Sequence, residues 1–298
     1  MQRIAYLGPA GTFTEAAARI LVDPASVELV ACVVPQAALA LVRAGDADAA
    51  CVPIESSVEG AVPTTVDALA TGPRLQVVAE TVLAVRFSVL VRPGTAEVRT
   101  IHTHPHAAAQ VRSWIAEHLP DAELVLTAST AAAAEDVAHG RADAAVATAL
   151  VGERLGLDTL AGDVADVRDA ETRFVLVRTP CAPPAPTGHD RTSVVLGLAN
   201  TPGALVAAMS EFALRGIDLT RIESRPTRTG LGTYRFYLDC VGHVADPLVA
   251  EALAALHRRC DDVRFLGSWP ASGSGAGTTP DDPSGSLDWV AALGRGQG

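Results

Sequence analysis

One frame of residues occurs twice in this chain and limits what it can fold into. Val42-Arg43-Ala44-Gly45-Asp46-Ala47-Asp48-Ala49-Ala50 matches Val137-Ala138-His139-Gly140-Arg141-Ala142-Asp143-Ala144-Ala145 as Val-x-x-Gly-x-Ala-Asp-Ala-Ala, at an offset of 95 residues. In each copy a helix is expected to end on Gly, the residue that tolerates a left-handed cap. A buried strand is expected to start after Asp. A helix-to-strand unit used twice predicts two similar α/β lobes. Such lobes enclose a ligand in the cleft between them. An alanine-rich chain can also produce a match of this kind by chance.

The rest of the chain supplies elements for such lobes. Ile4-Ala5-Tyr6-Leu7 reads as a short buried strand, Gly8-Pro9-Ala10-Gly11 as a turn, and Thr12 to Leu21 as a helix. Thr12 and Glu15 have capping-box spacing. A Gly-rich turn at a helix N-terminus is either a plain βα turn or an anion site, and a carboxylate suits it better than a polyphosphate. Further on, 36–44 reads as a helix, 49–54 as a buried strand, 55–60 as a polar loop and 64–70 as a helix. Residues 82–91 read as one strand and 107–118 as one helix.

The composition breaks at Thr179-Pro180-Cys181-Ala182-Pro183-Pro184-Ala185-Pro186-Thr187-Gly188, a Pro-rich linker. Beyond it the pattern is strand 192–199, helix 203–215, strands 217–224 and 232–240, helix 246–258 and strand 262–267. That is βαββαβ, the ferredoxin-like arrangement. The expected division is therefore 1–180 as the two-lobed domain, 181–190 as linker, 191–270 as the second domain and 271–298 as a disordered Ser/Gly/Pro/Asp-rich tail. Within that tail Leu287 to Leu293 reads as a marginal helix.

Composition excludes several functions. All 23 basic residues are Arg, so there is no Schiff-base lysine and no Walker A lysine. No Gly-x-Gly-x-x-Gly follows a strand, and no cofactor is expected. A net charge of −11 argues against nucleic acid and anionic membranes as partners. No run approaches the roughly 20 apolar residues of a membrane span. The N-terminal residues lack the pattern of a signal peptide. Five dispersed Cys read as reduced thiols. A cytoplasmic location is expected.

Two motifs carry chemistry. Glu171-Thr172-Arg173-Phe174 leads into Val175-Leu176-Val177, an apolar run that reads as a strand. A hydroxyl, a guanidinium and an aromatic ring thus stand together at a strand entrance. Arg fits a carboxylate bidentately, and Thr can point one donor at a leaving oxygen. The plainer alternative is an Arg173 paired with a surface acid and a Thr172 that is an ordinary strand residue. His102-x-His104-x-His106 invites a metal, but Pro105 interrupts the strand and no nearby Cys or carboxylate completes a set. No metal is expected there. Thr103 and Gln110 are better candidates for small-molecule contacts.

Taken together the motifs are recognisable. Tyr6-Leu7-Gly8-Pro9-Ala10-Gly11-Thr12-Phe13-Thr14, Val52-Pro53-Ile54-Glu55, Thr103-His104-Pro105 with Gln110, and Thr172-Arg173-Phe174 stand in order. Pro202-Gly203-Ala204-Leu205 and Glu223-Ser224-Arg225-Pro226 follow in the second domain. Over residues 1 to about 270 the chain closely resembles the monofunctional bacterial prephenate dehydratases, a periplasmic-binding-protein-like catalytic domain followed by an ACT regulatory domain. The resemblance implies decarboxylating dehydration of prephenate to phenylpyruvate, without cofactor or metal. It implies Thr172 as donor to the leaving oxygen, Arg173 as carboxylate binder and Phe174 as ring-pocket wall. Thr12, Phe13, Glu55, Ser56, Thr103 and Gln110 carry over as substrate contacts. Phenylalanine is implied as an allosteric ligand near Asn200, Gly203, Ala204, Leu205, Glu223, Ser224 and Arg225, between subunits of a homodimer or homotetramer. In the family an Asn usually follows the Glu of Pro-Ile-Glu, where this chain has Ser56. An Asn common shortly before Thr-Arg-Phe is also missing from 161–171. A prephenate analogue as substrate and a catalytically silent amino-acid-binding regulator are the rival readings.

Overall fold

In a computed structural model of the chain, both copies of the repeated frame do the same structural work. Gly45 and Gly140 close their helices at φ +80° and +74°. The Asp that follows each Gly by three residues then ties the neighbouring strand. Asp48 accepts the Arg3 backbone N–H at 2.7 Å, and Asp143 accepts those of Arg99 and Thr100 at 3.0 Å each. The description covers all residues except Arg168, Leu231, 274–276, 279–283 and Gly298, and the Leu287 side chain.

The first lobe begins with β1 (Gln2–Leu7), α1 (Phe13–Leu21), β2 (Val27–Cys32), α2 (Pro35–Ala44) and β3 (Ala49–Ser56). It continues with β4 (Gly60–Ala61), α3 (Pro63–Ala70) and β5 (Gln76–Ala84). The second lobe holds β6 (Ser88–Val91), β7 (Thr100–Thr103), α4 (Pro105–Gln110), α5 (Arg112–His118) and β8 (Glu123–Leu126). Then come α6 (Thr130–Ala138), β9 (Ala144–Ala147), α7 (Ala149–Leu155) and β10 (Asp158–Ala161), before β11 (Glu171–Arg178) returns to the first sheet. The sheet orders are β2-β1-β3-β11-β5 and β10-β6-β9-β7-β8. Written from the other side, the second is β8-β7-β9-β6-β10, the same plan. β1 is parallel to β2 and β3, and β7 is parallel to β8 and β9. In each lobe the next strand, β11 or β6, runs antiparallel.

Residues 82–91, expected as one strand, form parts of two. β5 ends at Ala84 and β6 starts at Ser88, in different sheets, with exposed Arg86 between them. Val85 there donates to the Ala170 carbonyl at 2.7 Å, so the outgoing and returning crossings run side by side. The helix expected over 107–118 is also two. Pro105 opens α4 as a favourable first helical residue rather than merely ending a strand, and buried Val111 breaks the run before α5.

The chain divides into two compact units, Met1–Ala68 with Thr81–Val177, and Leu69–Glu80 with Arg178–Gly298. The second contains β12 (Asp190–Gly197), α8 (Ala204–Ala213), β13 (Leu219–Pro226), β14 (Tyr234–Val241), α9 (Pro247–Arg259), β15 (Asp262–Pro270) and α10 (Ser284–Gly294). Its antiparallel order β13-β14-β12-β15 is that of a ferredoxin-like module. Val194, Leu196 and Leu238 of the sheet bury against Phe212 of α8 and Val249 and Leu256 of α9. Residues 69–80 join this unit: Glu80 accepts from the Arg191 guanidinium, the Trp269 indole N–H at 2.9 Å and the Ser272 backbone at 2.8 Å. Part of the tail read as disordered is also held. Ala271 and Thr278 donate to His189 and Asp218, and α10 covers the expected marginal helix. Residues 274–276, 279–283 and Gly298 of that tail lie outside the described residues. Among the described residues no helix is long and apolar enough to cross a membrane.

Candidate functional site

The strand directions place the site. The C-terminal ends of β1, β3, β7 and β9 lead into residues 8–12, 55–59, 103–106 and 148. Two contacts show that these ends of the two lobes face each other. The Thr148 hydroxyl donates to the Gly11 carbonyl at 3.0 Å, and His106 pairs with Glu59. Gly11, at φ +89°, is required by this approach, since a Cβ there would lie 2.8 Å from Val151 of the second lobe. Phe13 meets Phe87 edge-on with centroids 5.8 Å apart. In open α/β sheets ligands bind at the carboxyl ends of parallel strands.

β11 enters the first sheet at this end. Thr172 pairs with Ser56 and Arg173 with Glu55, and a register shift follows before Phe174 meets Pro53. Arg173 Nη2 donates to Glu55 Oε2 at 2.8 Å, with the Arg side chain 7% and the Glu side chain 35% exposed. The guanidinium is thus buried at the inner end of the pair while the carboxylate reaches solvent. Phe174 is buried. Ser57 completes the strand entrance, its hydroxyl taking the Glu171 N–H at 2.9 Å and its N–H bonding the Glu171 carbonyl.

Other expected contacts are engaged within the chain. The Thr12 hydroxyl donates to the Leu7 carbonyl at 3.1 Å and caps α1 by accepting the Glu15 N–H. Only the Thr12 half of the expected capping box forms, because the Glu15 carboxylate reaches past Thr12 to take the Gly11 N–H at 2.6 Å, together with the Arg19 guanidinium. Burial alone would raise that carboxyl, but the Gly11 and Arg19 bonds and the Arg19 and Arg154 charges outweigh it and hold it below the usual range. The carboxylate at this helix N-terminus is therefore the chain's own. Thr103 is wholly buried and donates to the Val146 carbonyl at 2.8 Å, tying β7 to β9. The buried Gln110 Oε1 has no hydrogen-bond partner among the described residues. An unsatisfied amide oxygen is costly unless a ligand or water completes it.

The three histidines go to separate partners. His102 Nδ1 lies 2.9 Å from Asp136, His104 caps α4 by accepting the His106 N–H at 3.3 Å, and His106 pairs with Glu59. Among the described residues no group of three His, Cys, Asp or Glu is placed to hold a metal. The five Cys are free, and burial pushes Cys51 and Cys240 up to about 12.

In the second unit Gly203 precedes α8 at φ +81°, a conformation that favours glycine. Asn200, Ala204 and Leu205 flank it. Glu223 on β13 accepts from Arg225 at 3.2 Å and lies 3.5 Å from Arg221, which pairs in turn with buried Asp239. Ser224 stands opposite Phe236. β13 runs parallel to β12 with β14 between, so Glu223–Arg225 and Asn200–Leu205 lie at the same end of the sheet.

Residues 4–182 match the prephenate dehydratase family, and residues 192–258 match the ACT domain. The chain belongs to the prephenate dehydratase family. The prephenate dehydratase of Mycolicibacterium vanbaalenii is 58% identical over the full length of both chains. The crystal structure of a prephenate dehydratase from Arthrobacter aurescens in complex with L-Phe superposes with a TM-score of 0.87 at 43% identity, covering 98% of this chain and 99% of that one. GqqA, described as a novel type of quorum quenching acylase, gives 0.80 at 34% identity over 91% and 98%. This member of the dehydratase family is a decarboxylating carbon–oxygen lyase of prephenate with an ACT domain.

Sequence reasoning missed Glu59, Thr148 and the partnership of His106. Thr148 opens α7 as its cap, accepting the Val151 N–H, and only that local signal was available for it. Nothing local announces that Thr148 also reaches the first lobe.

Proposed function

We propose that the β3–β11 strand ends carry the dehydration. The observation behind this is the pairing of Thr172 with Ser56 and of Arg173 with Glu55 at the end of the first sheet that faces the second lobe. In the reaction the ring carboxylate leaves as carbon dioxide, its bonding pair moves into the ring, and the carbon–hydroxyl bond breaks. The Thr172 hydroxyl gives the departing oxygen a proton and regains one from solvent, so each turnover consumes one proton and releases water. A Thr hydroxyl is a very weak acid, and donation must be concerted with bond breaking. Aromatisation supplies the driving force. Arg173, oriented by Glu55, holds a substrate carboxylate, and Phe174 closes the pocket below the ring. Gln110 supplies an acceptor from the second lobe. Thr12, Phe13 and Thr103 shape the walls and hold the strand ends that carry the contacts.

Phenylalanine is read as the allosteric ligand of the second domain, in keeping with the L-Phe complex of the Arthrobacter aurescens relative. Asn200–Leu205 and Glu223–Arg225 share one end of the sheet, and the site is read as shared between subunits, in a homodimer or homotetramer of a cytoplasmic enzyme. The test is phenylpyruvate formation from prephenate at neutral pH, with and without phenylalanine, alongside light-scattering mass. Turnover that responds to phenylalanine supports both halves of the reading. Prephenate binding without turnover overturns the catalytic half, and unchanged activity at saturating phenylalanine overturns the regulatory half.

A further inference from the structure

The motif His102-x-His104-x-His106 is not absorbed by the chemistry above, and neither is Ser56. Both meet at one place. Ser56 ends β3, pairs with Gly60 across a tight turn, and its Oγ accepts the N–H groups of Val58 at 3.3 Å and Glu59 at 3.4 Å. That turn projects Glu59, whose carboxylate pairs with His106 Nδ1 on α4 of the other lobe. The His106 ring stacks on His104 with centroids 5.1 Å apart and planes 8° from parallel. His104 in turn caps α4, the helix that ends on Gln110. Burial, and then the charge of His106, push His104 below the usual imidazole range against the opposing pull of Glu59, which keeps its Nδ1 an acceptor.

We infer that Glu59 and His106 are positioning residues, a contact between the lobes that holds α4 and its Gln110 against the Glu55–Ser56 strand end. Ser56 acts in it by shaping the turn, a task that a short hydroxyl performs through two backbone N–H groups. The pair is partly exposed, with His106 63% and Glu59 38% accessible, so its share is modest. It forms only when the lobes are together, and it therefore favours the arrangement that binds substrate. The inference rests on the reading that prephenate sits between the lobes.

The experiment is a charge-swap cycle in the full chain: Glu59→Arg, His106→Glu and the double variant, each assayed for KM and kcat with prephenate. Each single change raises KM about two- to fivefold with kcat retained, and the double change returns KM toward the parent value. Unchanged KM in the single variants, or a double variant equal to the product of the singles, overturns the inference. Hydrogen exchange in the ligand-free chain needs no turnover and gives a second readout. Glu59→Arg accelerates exchange of the α4 amides in the opposite lobe, and a lack of acceleration overturns the inference. Absence of turnover in the parent chain, by contrast, overturns the reading of the site and leaves the exchange result to decide the contact.

Discussion

β11 beside β3 and β6 beside β9 occupy the same place in two copies of one plan, yet they begin differently. In the first lobe Thr172 and Arg173 face Ser56 and Glu55; in the second Ser88 and Val89 face Ala147 and Val146. One pair of strand ends holds a buried guanidinium and its carboxylate, while the other is apolar beyond a single hydroxyl. The repeated backbone makes two facing surfaces, and the side chains at equivalent strand ends make them chemically different. On the proposed reading the second lobe offers an acceptor at Gln110, and it contributes the contacts of Thr148 and His106 that hold the lobes together.

The largest test of this division is Thr172→Ala against Ser88→Ala. The first is expected to lower prephenate turnover by about 10²- to 10⁴-fold with binding retained, the range of a lost proton donor. The second is expected to leave turnover nearly unchanged. Equal losses in a rate assay would break the comparison.

Next is the seam between the lobes. Gly11→Ala meets both a left-handed backbone and Val151 at 2.8 Å, whereas Gly45→Ala meets a left-handed backbone with nothing within 4 Å. The expected costs are about 2–4 kcal/mol for the first and about 1 kcal/mol for the second in urea unfolding. Only the first should also weaken prephenate binding, because only it forces the lobes apart.

The two repeated aspartates differ more gently. Asp143 accepts two backbone N–H groups and exchanges bonds with the Thr100 hydroxyl. The Arg99 N–H is the main cause that holds its carboxyl below the usual range, with burial opposing and Thr100 assisting. Asp143→Ala is expected to cost about 1–2 kcal/mol at pH 7. A carboxyl depressed in the fold stabilises above its ordinary titration range and loses that contribution as pH falls through its folded value. The gap between parent and variant should therefore shrink below about pH 4. A gap unchanged with pH would show that packing, not the ionised carboxylate, is responsible.

The smallest effect is expected at His104. Its imidazole titrates lower in the fold because of burial and the His106 charge. The unfolded chain then binds the proton better, so stability falls as pH drops below the ordinary imidazole range and recovers above it. His104→Asn, a cap that does not titrate, should flatten the thermal-stability profile between about pH 5 and 7. An unchanged slope would remove His104 from the cap's pH response.

Local order was written in the chain. The two Gly-capped helices, the Asp-led strands, the Thr12 cap of α1 and the βαββαβ module follow from periodicity and capping, which act over a few residues. The strand that starts at Glu171-Thr172-Arg173 was legible for the same reason, as polar groups at the mouth of an apolar run. Which acid of the chain would meet Arg173 was not, and it is Glu55, 118 positions earlier. Nor did spacing show that His102 would turn to Asp136 while His104 and His106 stack. Pro105 was legible as a strand breaker, and β7 does end before it at Thr103, but that the same residue opens α4 was not. The break of 82–91 into strands of two sheets was equally hidden, because an apolar run reads the same whichever sheet it enters. Residue types and their spacing determined the elements and the kinds of group available. The tertiary structure alone decided which groups meet, since partners such as Gly11 with Thr148 and Glu59 with His106 are joined by strand order rather than by any local preference.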